Sequence, residues 1–218
     1  FLHKSIHNLA SINDQIKLKF GSVSNLEIIA VSKTFSMSEI NPLIENGHLH
    51  FGENKVQEAV DKWTVIKKSH ESLKLHMIGK LQTNKVKYVI PLFDYIHSLD
   101  NIRLAEKIAT VQLKENRSLK IFIQVNIGKE PQKAGLDIND LKNFYKKCTQ
   151  ELKLNIIGLM CIPPKYGLVK NYFNEMVVLK KTLNVEDLSM GMSEDYLDAI
   201  DCGASYVRIG SKIFGDRS

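Results

Sequence analysis

The feature that most limits how this chain can fold is a repeated alternation of short apolar segments with longer amphipathic ones. The alternation runs from residue 27 to residue 209, and no low-complexity linker or internal repeat interrupts it. Strictly alternating strands and helices are typical of a parallel sheet with helical crossovers. Eight such units favour a closed (β/α)8 barrel over an open sheet. The predicted strands are 27–33, 48–53, 73–79, 95–99, 120–127, 155–162, 187–192 and 206–209, and the predicted helices between them are 36–47, 55–68, 83–90, 101–114, 138–148, 166–183 and 193–201.

An additional helix is predicted in front of the barrel. Apolar residues recur at steps of three or four from Leu2 to Ile16, and Gly21 marks the end of this segment. The chain has 218 residues, of which 44% are hydrophobic, and this is enough for one sizeable core. We therefore expect an α/β protein with one TIM-type barrel domain, 1–218, and an extra N-terminal helix.

The composition argues against several classes of protein. Only four of the 30 Lys and Arg residues are Arg, and the basic residues are dispersed, which disfavours nucleic-acid binding despite the net charge of +6. The N-terminal segment mixes polar with apolar residues, unlike a signal peptide or a membrane span. Cys148, Cys161 and Cys202 are odd in number and lack C-x-x-C spacing, so neither a disulfide framework nor a metal site is indicated. We expect a monomeric cytoplasmic protein that binds no membrane.

A lysine stands at the end of the first predicted strand. The aliphatic range 28–31 suits a strand buried on both faces, so Lys33 would emerge at the mouth of the barrel. Partial burial disfavours the ammonium form, and a neutral amine on a rigid strand end can form a Schiff base with a carbonyl compound. The alternative is a solvated lysine that flanks a strand.

Glycine and serine residues follow the last two predicted strands. The range 189–193 reads Ser-Met-Gly-Met-Ser, and the range 208–211 reads Arg-Ile-Gly-Ser. Loops after strands seven and eight often bind phosphate in such barrels. Glycine allows close backbone approach, while serine hydroxyls and helix N-terminal N–H groups donate to an anion. The alternative is that these are ordinary turn glycines and serine caps.

The lysine and the two loops would face the same mouth, because strands one and eight are neighbours in a closed barrel. A Schiff-base amine beside a phosphate site suggests pyridoxal phosphate (PLP) as the cofactor. Arg208 could bond the pyridine nitrogen of this cofactor, or it could form a surface salt bridge. Asn54, at the end of strand two, could bond the ring oxygen of the cofactor or its own loop.

Other residues near the mouth have weaker assignments. His76 lies within strand three, where a lone histidine among apolar residues is more often a satisfied core group than a base. Met160, on strand six, is a core residue by default and could also pack against the cofactor ring. Gln57, Asn84 and the range 129–133 either line the mouth or belong to the surface.

Six ordered motifs carry a resemblance to a known family. They are Ile-Ala-Val-Ser-Lys-Thr at 29–34, Phe-Gly-Glu-Asn-Lys-Val-Gln-Glu at 51–58, His-Met-Ile-Gly at 76–79, Leu-Gln-Thr-Asn-Lys at 81–85, and the two serine and glycine ranges 189–193 and 208–211. With them the chain resembles the pyridoxal phosphate homeostasis protein family, which is related to the N-terminal barrel of alanine racemase. The resemblance extends from about residue 5 to Arg217. Lys80 stands where the family often has proline, and Ser211 stands where threonine is also common.

The resemblance implies a role for each residue of the site. It implies that Lys33 holds the cofactor as an aldimine and that Arg208 is the partner of the pyridine nitrogen. It also implies that Ser193, Gly210 and Ser211 bind the phosphate. An arginine at the pyridine nitrogen disfavours protonation of the ring and weakens it as an electron sink. We therefore expect a PLP-binding protein that maintains intracellular vitamin B6 and amino-acid pools, catalyses little or nothing, and passes the cofactor to apo PLP-dependent enzymes.

Two enzymatic alternatives remain open. A small PLP-dependent amino-acid racemase or decarboxylase would need a second acid or base near the Schiff base, and His76 is the nearest candidate. An aldolase acting on phosphorylated sugars would use Lys33 and the phosphate loops without a cofactor.

Overall fold

Eight parallel strands form a closed barrel in the structure, a computed structural model that describes residues 2–216. Each strand pairs with the next one along the chain, and β1 also pairs with β8, where Ile29 lies opposite Arg208. The predicted (β/α)8 barrel is thereby confirmed. The strands are β1 (Glu27–Val31), β2 (His50–Glu53), β3 (Lys74–Met77), β4 (Tyr95–Leu99), β5 (Lys120–Gln124), β6 (Ile156–Met160), β7 (Asp187–Ser189) and β8 (Tyr206–Ile209).

Helices surround the barrel. They are α1 (Lys4–Phe20), α2 (Met37–Glu45), α3 (Val56–Ser69), α4 (Val86–Leu92), α5 (Ile102–Glu115), α6 (Leu141–Lys146), α7 (Val169–Leu183), α8 (Tyr196–Cys202) and α9 (Ser211–Phe214). The helix α1 is the extra N-terminal helix that the sequence predicts, and it ends just before Gly21 as expected. It packs against α2 and α9, and Asn8 Nδ2 donates a hydrogen bond to the Ile213 carbonyl at 2.9 Å. The N-terminal helix therefore supports the short helix that follows the last strand.

The ends of several elements differ from the prediction. The strand β1 ends at Val31, so Lys33 lies in the turn after the strand and not within it, because the positive φ of Thr34 (69°) breaks the extended backbone. The predicted helix 83–90 stops before Pro91, whereas the structure places Pro91 in the last turn of α4, where its missing N–H removes only one hydrogen bond. The helix α9 was not predicted, because four residues are too few to show a helical period.

The described range leaves out the two ends of the chain. The predicted domain bounds, 1–218, include Phe1, Arg217 and Ser218, which lie outside the described residues. Among the helices within residues 2–216, none has both the length and the apolar character needed to cross a bilayer.

The core of the barrel has two layers. An outer cluster fills the space between the strands and the helices and includes Phe51, Ile96 and Val207 from the strands and Trp63 and Phe173 from the helices. An inner cluster fills the interior of the barrel and consists of Ile29, Tyr95, Phe122, Met160 and Tyr206. Successive strand residues alternate between the two layers, as the two-residue period of a strand requires. The interior is therefore a packed layer that closes the barrel below its mouth.

Candidate functional site

A cavity of about 700 Å³ lies at the mouth of the barrel, at the C-terminal ends of the strands. This volume is within the range of about 300–1,000 Å³ that small-molecule and cofactor sites occupy. All six residues predicted for the site line this one cavity, namely Lys33, Asn54, Ser193, Arg208, Gly210 and Ser211. Val31, Phe35, Ile78 and Ile162 form its apolar walls. The structure therefore brings together residues that are up to 178 positions apart in the chain.

The turn after β1 holds half-buried Lys33 at the edge of the cavity. Before the lysine, Ser32 is buried and its hydroxyl donates to Glu53 Oε1 at 2.8 Å. After it, Thr34 has a φ of 69°, a strained conformation for a β-branched residue, and its N–H donates to Glu58 Oε1. Hydrogen bonds thus fix both neighbours of Lys33, so the position of its Cα and the direction of its Cα–Cβ bond are restricted.

A partly buried cation, Lys62 on α3, supports this turn. Lys62 Nζ donates to the carbonyls of Ser32 at 2.8 Å and Phe35 at 3.2 Å, and it pairs with Glu53 Oε1 at 2.7 Å. Trp63 Nε1 donates to the same carboxylate oxygen at 2.9 Å. Burial raises the pKa of Glu53, and the nearby Lys62 ammonium opposes that shift. The pair therefore fixes the backbone that carries Lys33.

The loops after β7 and β8 meet at the other side of the cavity. The Ser193 hydroxyl accepts a hydrogen bond from the Lys212 N–H at 3.3 Å, which joins the two loops. Gly191 has a φ of 99°, and a Cβ there would lie 2.6 Å from the Ala199 Cβ, so this position requires glycine. Ser211 begins α9 directly after Gly210. The two loops therefore present hydroxyls and glycine backbone to one wall.

Asn54 is placed by a close approach between two loops. A Cβ at Gly79 would lie 2.5 Å from the Asn54 carbonyl oxygen, so the glycine of the His-Met-Ile-Gly motif is needed for this contact. Asn54 Oδ1 is buried and has no hydrogen-bond partner within the structure of residues 2–216. Buried side-chain oxygens are normally hydrogen-bonded. The asparagine amide is therefore poised for a polar group that enters the cavity.

Arg208 is 3% exposed and reaches the cavity from inside the barrel. Its Nη1 donates to Ser189 Oγ at 2.6 Å, and its Nη2 donates to the Cys161 carbonyl at 3.0 Å. Burial lowers the pKa of the guanidinium from its ordinary value, and the nearby Cys161 and Asp195 favour the charged form. The surface salt bridge considered for this arginine is therefore wrong, because the side chain is buried and bonded to neutral groups.

The structure also settles where the weaker candidates lie. His76 and Met160 are both fully buried in the barrel interior, as their core assignments predict. Gln57 donates to Asp61 on the exposed side of α3, and Lys133 pairs with Glu130 at 2.6 Å. No group of three His, Cys, Asp or Glu residues in the described part of the chain is arranged to hold a metal ion.

Sequence reasoning missed several residues that line the cavity. Lys165 adds a second amine to it, and Glu194, Asp195 and Asp216 add carboxylates beside the serine loops. Burial raises the pKa of Asp195, whose Oδ1 accepts a hydrogen bond from the Met192 N–H. Asp195 could have been singled out from the sequence, because it directly precedes α8 and aspartate is common at the start of helices.

Comparison with known proteins gives consistent results. The family model described as the alanine racemase N-terminal domain matches residues 5–218. The pyridoxal phosphate homeostasis protein of Aquifex aeolicus is 37% identical over 88% of this chain and 87% of its own length. The protein of the same name from Escherichia coli K12 is 36% identical over 97% of this chain and 96% of its own length.

Comparison with solved structures gives a result that is consistent with these sequence relatives. PipY of Synechococcus elongatus PCC7942, solved without PLP, has a TM-score of 0.86 and 34% identity and covers 96% of this chain and 99% of its own. The same protein with PLP bound has a TM-score of 0.84 and covers 97% of this chain and all of its own. The alanine racemase of Clostridium difficile 630 shares the fold, with a TM-score of 0.76 at 13% identity over 57% of its length.

The fold and the cavity thus define a barrel of the alanine racemase N-terminal class with a lysine after its first strand. Within that class, the relatives at 36–37% identity cover most of this chain and most of their own lengths. The chain belongs to the pyridoxal phosphate homeostasis protein family, as its motifs predict.

Proposed function

We propose that this chain binds PLP as a Schiff base of Lys33 and acts as a carrier that maintains cellular PLP, with little or no catalysis. The observation that carries the proposal is the convergence on one cavity of an amine, two serine and glycine loops and a buried arginine. The names of the relatives and the PLP-bound PipY structure support the same ligand.

The residues of the cavity fit a phosphorylated pyridine aldehyde. Asn54 Oδ1 has no hydrogen-bond partner among residues 2–216 and would be satisfied by a polar ring substituent. Gly210 has a φ of −114°, and the nearest atoms that a Cβ would meet belong to Val31, at 3.4 Å or more. Neither backbone conformation nor packing therefore demands glycine at position 210. The close approach of a phosphate to this backbone, with the Ser193 and Ser211 hydroxyls as donors, would explain why position 210 is a glycine.

The chemistry at Lys33 is the formation of an imine. When bound, PLP supplies an aldehyde carbon that is open to attack by an amine. Lys33 must first lose its ammonium proton, and its Nζ then adds to the carbonyl carbon while the carbonyl oxygen leaves as water. The fixed turn beneath Lys33 reduces the conformational freedom that this amine must give up to reach the carbonyl.

Arg208 favours binding over catalysis. A guanidinium has donors only, so its partner at the pyridine ring must be an unprotonated nitrogen. A ring that stays unprotonated withdraws electrons weakly, and carbanions beside it are poorly stabilised. His76 does not supply the acid or base of a racemase or decarboxylase, because both its ring nitrogens are bonded to His50 and His97. These contacts support the carrier over the enzymatic alternatives.

Borohydride reduction tests the binding site. We expect the protein incubated with PLP to turn yellow, and peptide mapping after reduction to find the adduct on Lys33. Lys33→Arg keeps the positive charge but has no primary amine, so no adduct should form. Lys165→Arg changes another lysine that lines the cavity and should retain the adduct. An adduct on a different lysine of the parent protein, or none at all, contradicts the proposal.

The carrier role needs a separate measurement. We expect the PLP-loaded protein to turn over no member of a panel of amino acids at a substantial rate, and to restore the activity of an apo PLP-dependent enzyme. Rapid racemisation or decarboxylation would instead establish an enzyme. A colourless protein that cleaves phosphorylated sugars would establish the aldolase.

Three expectations complete the proposal. The PLP-binding domain would comprise the whole chain, 1–218, because the family model matches residues 5–218. The protein would act in the cytoplasm, where Cys148, Cys161 and Cys202, all free in the structure, would remain reduced. We also expect it to act as a monomer.

A further inference from the structure

A row of polar side chains crosses the interior of the barrel below the cavity. It begins at Ser189 Oγ, which accepts from Arg208 and lies 2.8 Å from His97 Nδ1. His97 Nε2 in turn lies 2.9 Å from His76 Nδ1. Ser189, His97 and His76 are completely buried. The row therefore leads from the cavity arginine into the centre of the barrel.

The row continues to the opposite end of the barrel. His76 Nε2 lies 2.9 Å from His50 Nδ1, and His50 is the first residue of β2. On its other side, His50 Nε2 lies 3.3 Å from a carboxylate oxygen of Glu27, the half-exposed first residue of β1. We call Ser189, His97, His76 and His50 the histidine row. A guanidinium stands at one end of it and a carboxylate at the other.

The arginine determines the direction of the hydrogen bonds in the row. A guanidinium cannot accept, so Ser189 Oγ accepts from Arg208. Among residues 2–216, the only acceptor in reach of the buried Ser189 proton is His97 Nδ1, so Ser189 donates to it. A neutral imidazole has one donor and one acceptor nitrogen. His97 must therefore carry its proton on Nε2 and donate to His76 Nδ1, and by the same logic His76 donates from Nε2 to His50.

The carboxylate at the far end selects the same direction. With its proton on Nε2, His50 presents an N–H to Glu27, whereas the reverse direction would place a lone pair against the carboxylate. The two charged ends therefore agree on one arrangement in which all three histidines are neutral Nε2–H tautomers. An imidazolium has two donors and no acceptor, so protonation of His97 or His76 would break the row.

The surroundings of the row show that it is not ordinary core. The rings of His76 and Tyr95 stack with centroids 4.0 Å apart, and those of His97 and Phe122 stack at 4.4 Å. Burial lowers the pKa of both histidines, and His97 also faces the charge of Arg208. Barrel interiors are usually filled by branched aliphatic residues. Polar rings there are costly unless their nitrogens are bonded. Five of the six ring nitrogens in this row have a hydrogen-bond partner, and the sixth, His50 Nε2, lies 3.3 Å from a carboxylate oxygen of Glu27.

We propose that the histidine row positions Arg208, so that residues far below the cavity set how strongly the guanidinium binds the pyridine nitrogen. This inference rests on the proposed function. Ser189 Oγ becomes a stronger acceptor for Arg208 because it donates its own proton to His97, and hydrogen bonds in a chain polarise one another. The anchored guanidinium keeps further N–H groups for the cavity that it lines.

The tautomers provide the first test, and this test needs no cofactor. In the intact protein without PLP at neutral pH, nitrogen-15 NMR of labelled histidine should show neutral Nε2–H rings for His50, His76 and His97. An Nδ1–H tautomer or an imidazolium at any of the three would overturn the row. Because PLP is absent, this result decides the row even if PLP binds elsewhere.

The second test uses the PLP-loaded protein. Ser189→Ala removes the acceptor of Arg208, and we expect PLP affinity to fall about tenfold, the effect of one hydrogen bond, with a shifted absorption band. Ser189→Thr keeps the hydroxyl and should restore both readouts. The adduct on Lys33 should still form in each variant, which separates this test from that of the binding site.

The decisive variants change histidines of the row that lie far from Arg208. His76→Leu should shift the absorption band of bound PLP in the same direction as Ser189→Ala, although His76 lies below the cavity. His50→Leu, at the edge of the barrel, replaces it if His76→Leu does not fold. Glu186→Gln changes an exposed carboxylate next to β7 and is the matched control, expected to alter nothing. Unchanged affinity and spectrum in Ser189→Ala and in the histidine variant would overturn the proposal.

Discussion

The outer and inner layers of the barrel core are built from different chemistry. The outer cluster is made of aliphatic and aromatic side chains between the strands and the helices. The barrel interior combines the five residues of the inner cluster with the histidine row and Arg208. Apolar packing has no directional requirement, whereas buried polar groups must each find a partner. The outer layer is therefore suited to stabilise the fold, and the interior is suited to hold the cavity residues in one arrangement.

Single strands show how closely the two layers are interleaved. In β2, His50 points into the interior while Phe51 belongs to the outer cluster. In β8, Tyr206 and Arg208 face inward and Val207 between them faces outward. One strand thus serves both layers, and substitutions at adjacent positions should have different consequences.

The largest effect is expected in the outer layer, at Trp63. This residue is fully buried, and its Nε1 donates to Glu53. Trp63→Ala should lower the free energy of unfolding by about 3–5 kcal/mol, because it leaves a cavity and removes a hydrogen bond. Urea unfolding of the protein without PLP measures this change.

Trp63→Phe is the matched control for that experiment. It keeps most of the ring but not the N–H, so it should cost clearly less than the alanine variant. Equal losses in both variants would show that the hydrogen bond to Glu53 and not the packed volume dominates at this position.

The next effect depends on pH and comes from the three histidines of the row together with His48, which packs against Phe51 of the outer cluster. Burial lowers the pKa of His76 and His97, and it lowers the pKa of His48 and His50 to about 4. In the unfolded chain these rings bind protons below pH 6.5, while in the folded protein they remain neutral. Stability is therefore fully present above that pH and is lost as the pH falls. We expect a loss of about 1 kcal/mol per histidine between pH 7 and pH 5.5.

Urea unfolding at a series of pH values checks this slope. His97→Phe removes one of the four rings and should make the profile less steep. A flat profile over this pH range would mean that the interior histidines are charged in the folded protein, which contradicts the neutral row.

A smaller loss is expected where the interior meets the mouth, at Gly79. The added methyl of Gly79→Ala would overlap the Asn54 backbone, so the two loops must separate. We expect a loss of about 1–3 kcal/mol in stability, as for other overpacked positions, together with weaker PLP binding. Thermal unfolding and a PLP titration measure the two effects. Normal PLP binding in a destabilised variant would show that the position of Asn54 does not matter to the cofactor.

The smallest stability effect is expected at Gly210, on the opposite wall. A Cβ there meets Val31 only at ordinary contact distance, so Gly210→Ala should change the free energy of unfolding by no more than about 0.5 kcal/mol. Its PLP affinity should nevertheless fall, because the methyl group obstructs the approach of the phosphate. A large loss of stability with unchanged affinity would reverse the roles assigned to Gly79 and Gly210.

Much of this architecture could be predicted from the sequence. The alternation of apolar and amphipathic segments is a local pattern, and it predicted the barrel and the extra helix. It placed the ends of β1 and α4 less well, because Thr34 and Pro91 adopt conformations that depend on their neighbours in space. The six cavity residues could be named because their residue types at strand ends suit a Schiff base and a phosphate, and because six motifs resemble a known family.

By itself, the sequence determined which residue types stand at the end of each strand and which face of each strand they share. Only the tertiary structure decided which inward side chains meet. His97 and Ser189 are 92 positions apart and bond to each other only because the barrel closes with one register. The support of Lys33 by Lys62, from the helix that follows the next strand, depends on the parallel pairing of β1 with β2. The local periodicity of the sequence indicates which way a side chain points, whereas the packing of distant segments determines which residue it contacts.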